Sequence, residues 1–279
     1  MTLAAADLRA FIAAVRKELR TVRRYPTLWL GLVFWPVLLP ASYVLMGQAY
    51  SGSDPKAIAA FAERSGTVEV AGFVFVGFAM YMWLSTILWG PGTALRTEQM
   101  RGTLEAMFLT PTSRLVALFG PPAAALPTLG LTFVVMGAAM WVLFGVALPL
   151  DGVLRTMVVI AFALPALYAI GTLFAAGVLR FGEIGPIVQL VRGIFVLACG
   201  ITFPVLMLPG WAQAVASVLP PTYIVQDIRA VLLRGLGLGD VAGDLAITIG
   251  LTAVFAALAI VIFRALERSA RRSGMLGRY

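Results

Sequence analysis

Six stretches of this chain contain no charged residue: 25–53, 70–95, 115–150, 156–179, 193–226 and 245–263. An α-helix needs about 20 largely apolar residues to cross a ~30 Å hydrocarbon core. There it satisfies its own backbone hydrogen bonds, which no open strand or loop can do. Each stretch is long enough for one crossing, so the economical expectation is an all-α integral membrane protein with six transmembrane helices. Composition agrees. Of the 279 residues, 61% are hydrophobic and 12% charged, against roughly 45–50% and 25% in soluble domains. Too little polar surface remains to coat a soluble enzyme of this size.

Two stretches exceed a single crossing. Pro121, Pro122 and Pro127 place the third span at 123–144, after an interfacial approach. Pro209-Gly210 ends the fifth span near Leu208, and the apolar run 211–219 before Pro220-Pro221 is too short to cross. Segment 209–226 is therefore expected to form an outer-face re-entrant helical hairpin between spans five and six. Without repeats or a Ser/Gly linker, residues 1–279 read as one membrane domain.

The net charge of +8 invites a nucleic-acid reading, but its distribution is that of an orientation signal. With six spans, segments 1–24, 96–114, 180–183 and 264–279, with Arg192, carry +10 on one side, against −2 on the other. The positive-inside rule then places both termini, including the basic tail 267–279, in the cytoplasm. Nucleic acid is not an expected partner; membrane lipids are. Within 1–24, Leu8, Phe11, Ile12, Val15, Leu19 and Val22 follow helical spacing, with arginines mostly off that stripe. This describes an amphipathic interfacial helix on the cytoplasmic leaflet.

The chain has no histidine and one cysteine, Cys199, which excludes the commonest general acid–base and any intramolecular disulfide or cysteine zinc site. No metal site is expected. Nor does the chain contain a G-x-x-x-x-G-K-[ST] phosphate loop, so it is not expected to be an enzyme or to bind ATP itself.

Loop 96–114 reads RTEQMRGTLEAMFLTPTSR. Thr97 is placed to cap a short helix that Thr110-Pro111 ends, with Met100, Leu104, Met107 and Phe108 on its apolar face. Glu98–Arg101 and Arg101–Glu105 fall at pairing distance along a helix. Gly102 permits close approach of another backbone.

The wording of this loop resembles the ABC-2-type permeases, the membrane subunits of a class of ATP-binding-cassette exporters. Their first cytoplasmic loop reads E-x-x-x-G-T-L-E, an apolar stretch, then T-P and a basic residue. Here Glu98, Gly102, Thr103, Leu104, Glu105, Thr110, Pro111 and Arg114 stand in that order. Further on, Phe203, Pro204, Leu208, Pro209 and Trp211 are similar to the family's F-P-x-x-x-L-P-x-W phrase. Pro221, Tyr223 and Arg229 follow its N-P-x-x-Y-x-x-x-x-x-R phrase, with Pro220 where asparagine is usual.

The resemblance implies two permeases, identical or related, docked on two cytoplasmic ATPase subunits that hold the ATP and Mg. It implies coupling through Glu98, Arg101, Gly102, Thr103, Leu104, Glu105, Thr110, Pro111 and Arg114 of the loop, and through the amphipathic helix, including Glu18 and Arg20. It also implies outward transport of a lipid-like, glycolipid, polysaccharide or drug-like cargo across a bacterial cytoplasmic membrane.

Three further groups stand out. Arg180, Glu183 and Arg192 cluster between the fourth and fifth spans, either as interfacial anchors or as the access point for an anionic or phosphate-bearing substrate. Phe78, Tyr81, Ser85 and Trp89 share a face of the second span, either as packing or as a pathway lining. Asp227 and Arg229 are expected to fix the outer hairpin. The competing function is an ion- or proton-coupled carrier, which places ionisable groups near the bilayer midplane.

Overall fold

The computed structural model describes residues 27–51, 54–100, 125–181 and 185–272, with Arg9, Ile12, Ala13, Arg16, Arg20, Arg23, Arg24, Gly102 and Ala123. Among these residues the chain is all-helical, with no strand. The helices are α1 (Thr27–Ser51), α2 (Pro55–Ser65), α3 (Val70–Met100), α4 (Leu126–Phe144) and α5 (Leu150–Phe181). After them come α6 (Gly185–Ala198), a 3₁₀ turn (Val205–Met207), α7 (Gly210–Ser217), α8 (Pro220–Leu233) and α9 (Ala242–Arg272). Four described helices are long and apolar enough to cross a membrane, over Val70–Thr93, Leu126–Phe144, Leu150–Gly177 and Ala242–Leu266. Helix α1 is a 25-residue helix without a charged side chain, and α6 is a shorter apolar helix.

Local chemistry sets these boundaries. Pro127 sits in the first turn of α4, where its missing N–H is harmless, and Gly145 ends that helix in the left-handed conformation at φ 70°. Gly200, at φ 72°, follows the end of α6 at Ala198, ten residues before the expected stop near Leu208. Helix α2 was not expected from hydropathy. Asp54 accepts the Lys56 N–H at 2.9 Å, Pro55 opens the helix, and Gly66 closes it at φ 73°.

Helix α3 lies at the centre, packed against α1, α4, α5, α6 and α8. Its apolar window is 67% buried, whereas that of α9 is only 11% buried. One helix is therefore core, and the other turns most of its apolar surface outward. Helix α5 fills the space between α3 and α9, and α8 wedges against all three. At Gly171 of α5 a Cβ would stand 2.7 Å from the Ile87 carbonyl of α3, so this crossing depends on glycine.

Helix α8 is the most deeply packed short element, with eleven of its 14 residues buried. Its Arg229 is 6% exposed and donates to three backbone carbonyls. Nε and Nη2 reach Phe73 O at 3.3 and 2.9 Å, Nη1 reaches Gly200 O at 2.6 Å, and Nη2 reaches Ile201 O at 3.1 Å. The guanidinium also stacks 3.3 Å from the Phe73 ring centroid. Burial pulls this group well below its ordinary pKa, and the carbonyl cage and ring face oppose that pull. The Ile201 carbonyl lies so close to α3 that a Cβ on Gly77 would meet it at 1.9 Å. Arg229 thus clamps the first turn of α3 to the segment leaving α6.

Asp227, two residues away, has no such cage. It is 1% exposed, and neither carboxylate oxygen has a hydrogen-bond partner. Burial, with a smaller contribution from Asp244, pushes its carboxyl up to about 7.

Arg229→Met is expected to leave three buried carbonyls without their donor, at about 1–3 kcal/mol each. The melting temperature of the purified chain should fall by about 10 °C or more. Gly77→Ala should lower it comparably by displacing the same carbonyl. The double variant should lose less than the sum of the two, because both act on one contact.

Asp227 predicts the opposite direction. An acid with a raised folded pKa takes up a proton on folding. Stability should therefore fall as pH rises from about 4 to about 7 and level off above that. Asp227→Asn should flatten this slope and raise the melting temperature at pH 8 by several degrees; an unchanged pH profile would refute the assignment.

Candidate functional site

Helices α1, α3, α4 and α6 do not close completely on one another. They leave a cleft of about 490 Å³ lined by Trp35 and Leu39 of α1, Tyr81 and Thr86 of α3, Leu129 of α4 and Arg192 of α6, among others. That volume suits a small-molecule pocket, for which ~300–1,000 Å³ is usual. Trp35 and Gly31, on its α1 wall, are exposed, so the cleft opens toward the outside of the helix bundle.

The lining is mainly apolar, with hydroxyls from Tyr81, Thr86, Thr128 and Thr132 and a single charge. Two of those hydroxyls are already committed as donors, Thr86 to Met82 O at 2.9 Å and Thr132 to Thr128 O at 3.0 Å.

The charge is Arg192. Its Nη2 donates to the Tyr81 hydroxyl, and its Nη1 to Gln189 Oε1 at 3.0 Å. The guanidinium carbon stands 5.0 Å from the Tyr81 ring centroid. Its Nε is buried without a partner, and no carboxylate pairs with it among the described residues. Tyr81 is the twelfth of the 24 residues in the apolar window of α3. At 1.5 Å per residue the Arg192–Tyr81 contact lies about 17 Å from either end of that window. The sequence groups Arg192 with Arg180 and Glu183; the structure sets it against Tyr81 of α3, and Glu183 lies outside the described residues.

Of the four aromatic and polar residues expected along one face of α3, Tyr81 lines the cleft. Phe78 is buried, with its ring 4.9 Å from that of Tyr43, and Ser85 and Trp89 are half-buried. Trp35, Gly31 and the α4 threonines were missed. Nothing in the uniformly apolar α1 sequence distinguishes the wall of a cleft from lipid-facing surface.

The other predicted site residues fall partly outside the described residues. These include Glu18, Arg101, Glu183, the side chains of Glu98 and Arg180, and all of Thr103, Leu104, Glu105, Thr110, Pro111 and Arg114. Arg20 is helical and exposed. One expectation is corrected here. Thr97 does not cap a new helix, because α3 runs unbroken through it to Met100. Nothing between Leu95 and Met100 breaks a helix, and the first breaker is Gly102, at φ 70°. The central helix therefore carries the backbone of Glu98 directly.

A family model for the ABC-2 type transporter matches residues 9–233, about four-fifths of the chain. The chain belongs to the ABC-2 type transporter family. No curated protein matches it individually. Together with its apolar helices, this membership makes the transporter a multi-pass membrane protein. The matched region contains α1 through α8, and with them the whole cleft and the Arg229 clamp.

Proposed function

We propose that this transporter is the permease subunit of an ATP-driven exporter that moves an amphipathic cargo outward across a bacterial cytoplasmic membrane. Cargo of this kind includes lipid-like, glycolipid or polysaccharide and drug-like molecules. The ATPase site, with its ATP and Mg, resides in two cytoplasmic partner subunits, and the permease works as a pair, with itself or a related chain. Six spans serve this function: α1, α3, α4, α5, α6 and α9. Helices α7 and α8 form the outer re-entrant hairpin, and both termini are cytoplasmic.

The observation that carries this reading is the continuity of α3. One 31-residue helix joins the outer clamp, the cleft at Tyr81 and the family's coupling phrase beginning at Glu98. A displacement at Met100 acts on the cleft through about 29 Å of a single helix. In the coupling loop, Arg101 and Glu105 receive the push from the ATPase, together with the amphipathic helix bearing Glu18 and Arg20.

The competing carrier reading draws on Arg192, an ionisable group at mid-span. An arginine keeps its proton throughout, so it anchors an anion and does not relay protons.

In a purified complex of permease and ATPase, Glu105→Ala and Arg101→Ala should fold normally and retain basal ATP hydrolysis. Cargo stimulation of hydrolysis and export should fall at least tenfold. Coupling in these variants equal to wild type would remove the loop from the mechanism. Export that persists with an inactivated ATPase under an ion gradient would overturn the exporter reading itself.

A further inference from the structure

We propose that the cleft is an anion-anchoring site at the middle of the membrane. In it Arg192 binds the phosphate or carboxylate of an amphipathic cargo, whose apolar portion lies against Trp35, Leu39 and Leu129. This rests on the permease reading and narrows its cargo to amphiphiles that carry an oxyanion.

The inference follows from comparing the described arginines that are tied to several helices. Arg155 pairs with Asp151 and donates to Gly235 O at 3.0 Å and Leu236 O at 2.9 Å. Arg229 is deeply buried and caged by three carbonyls. In both cases the structure completes the coordination of the cation. Arg192 differs. It is held from two sides, by Tyr81 and Gln189, which fix its orientation while leaving its positive charge uncompensated. Its Nε has no partner, although water cannot reach it.

An uncompensated charge at mid-span is expensive and is usually functional. A merely structural arginine would have acquired a carboxylate or a carbonyl cage. A lipid headgroup in its normal place does not supply the anion either, since the contact lies about 17 Å from either end of the apolar window. Snorkelling along the side chain spans far less than that.

The geometry of the remaining donors suits an oxyanion. A guanidinium presents a planar fork of N–H groups that matches two oxygens of a phosphate or carboxylate. The outward side of the cleft, at Gly31 and Trp35, admits an amphiphile laterally, with its chain remaining among apolar side chains. Cationic amphiphiles are repelled by the same charge. Neutral ones gain the apolar contacts but leave the cation unmatched.

The full-length chain in phosphatidylcholine nanodiscs provides the test. Binding of bromine-labelled dodecyl phosphate is read as quenching of Trp35 emission, with Trp35→Phe as the blank. The comparison probes are bromine-labelled dodecyl maltoside and dodecyltrimethylammonium. Wild type should bind the phosphate at least about tenfold more tightly than either, the worth of one charge-assisted contact. Arg192→Gln should lose that preference while keeping its affinity for the maltoside, and Arg192→Lys should keep part of it. Tyr81→Phe, which frees the guanidinium to reorient, should weaken phosphate binding less than Arg192→Gln does.

Equal affinity of wild type for the anionic and neutral probes would overturn the proposal, whatever the variants do. So would undiminished phosphate preference in a folded Arg192→Gln chain. A parallel titration with bromine-labelled phosphatidylglycerol distinguishes a lipid headgroup from a free single-chain anion as the natural source. Because binding is read without ATP or partner, its failure leaves the exporter reading intact. Failure of ATPase-dependent export leaves the binding result standing.

Discussion

The buried guanidinium of Arg229 holds together the parts of the molecule on which transport geometry depends. Three carbonyls converge on it from two different segments, the first turn of α3 and the turn after α6. Few side chains can accept such a task. Lysine has three donors on a single atom, whereas arginine spreads five over a rigid plane and stacks on an aromatic face as well. The Phe73 ring supplies that face, and Gly77 supplies the room, since any side chain there would collide with Ile201 O. Stacking partner and gap lie four residues apart on α3, facing the clamp on α8, and the first turns of the central helix are thus fixed.

A helix fixed at one end transmits motion according to where it can bend. In α3 the backbone hydrogen-bond ladder has a gap at Pro91, which cannot donate to the Ile87 carbonyl. That same carbonyl faces Gly171 of α5 at the tightest crossing between the two helices. The freed carbonyl and the missing side chain coincide at this crossing. Tyr81 lies on the clamped side of this point, and Met100 on the other. On the proposed reading, a push delivered near Glu98 bends α3 at the Ile87–Pro91 turn and reaches the Arg192–Tyr81 contact through that helix.

Four of the six expected spans fall on described helices long and apolar enough to cross, because charge is excluded from hydrocarbon and leaves uncharged runs of the right length. Helix α4 ends at Phe144, where the sequence alone places its end, because Gly145 is an unambiguous stop. Features that hydropathy does not encode were less legible. Helix α2 is a short helix with no buried residue whose signals, Asp54-Pro55 at the start and Gly66 at the end, are local caps and not apolar periodicity. Helix α8 reads as part of a re-entrant turn because Pro220-Pro221 suggests a break, yet both prolines occupy the first turn of a helix, where they are tolerated. The cleft was half legible. Tyr81 and Arg192 were each singled out, but only the packing of α6 on α3 brings them into contact. Trp35 carries no signal of its own within an apolar helix.

Arg155, Arg192 and Arg229 also bear on the source of driving force. A guanidinium is a fork of donors suited to holding anions and carbonyls, and the chain has no histidine to relay protons. Asp227, the carboxyl pushed toward neutrality, sits in α8 with neither oxygen partnered and shares that helix with the clamp, away from the cleft. Protonating it alters how firmly α8 packs, not what Arg192 can bind. A carrier powered by protons or cations needs a group that both titrates and touches the cargo, and here those two properties fall on different residues in different elements. On the proposed reading, an anion bound at Arg192 is released by moving the helices that hold that group: α6, which bears it, and α3, whose Tyr81 fixes it and which runs on toward Glu98.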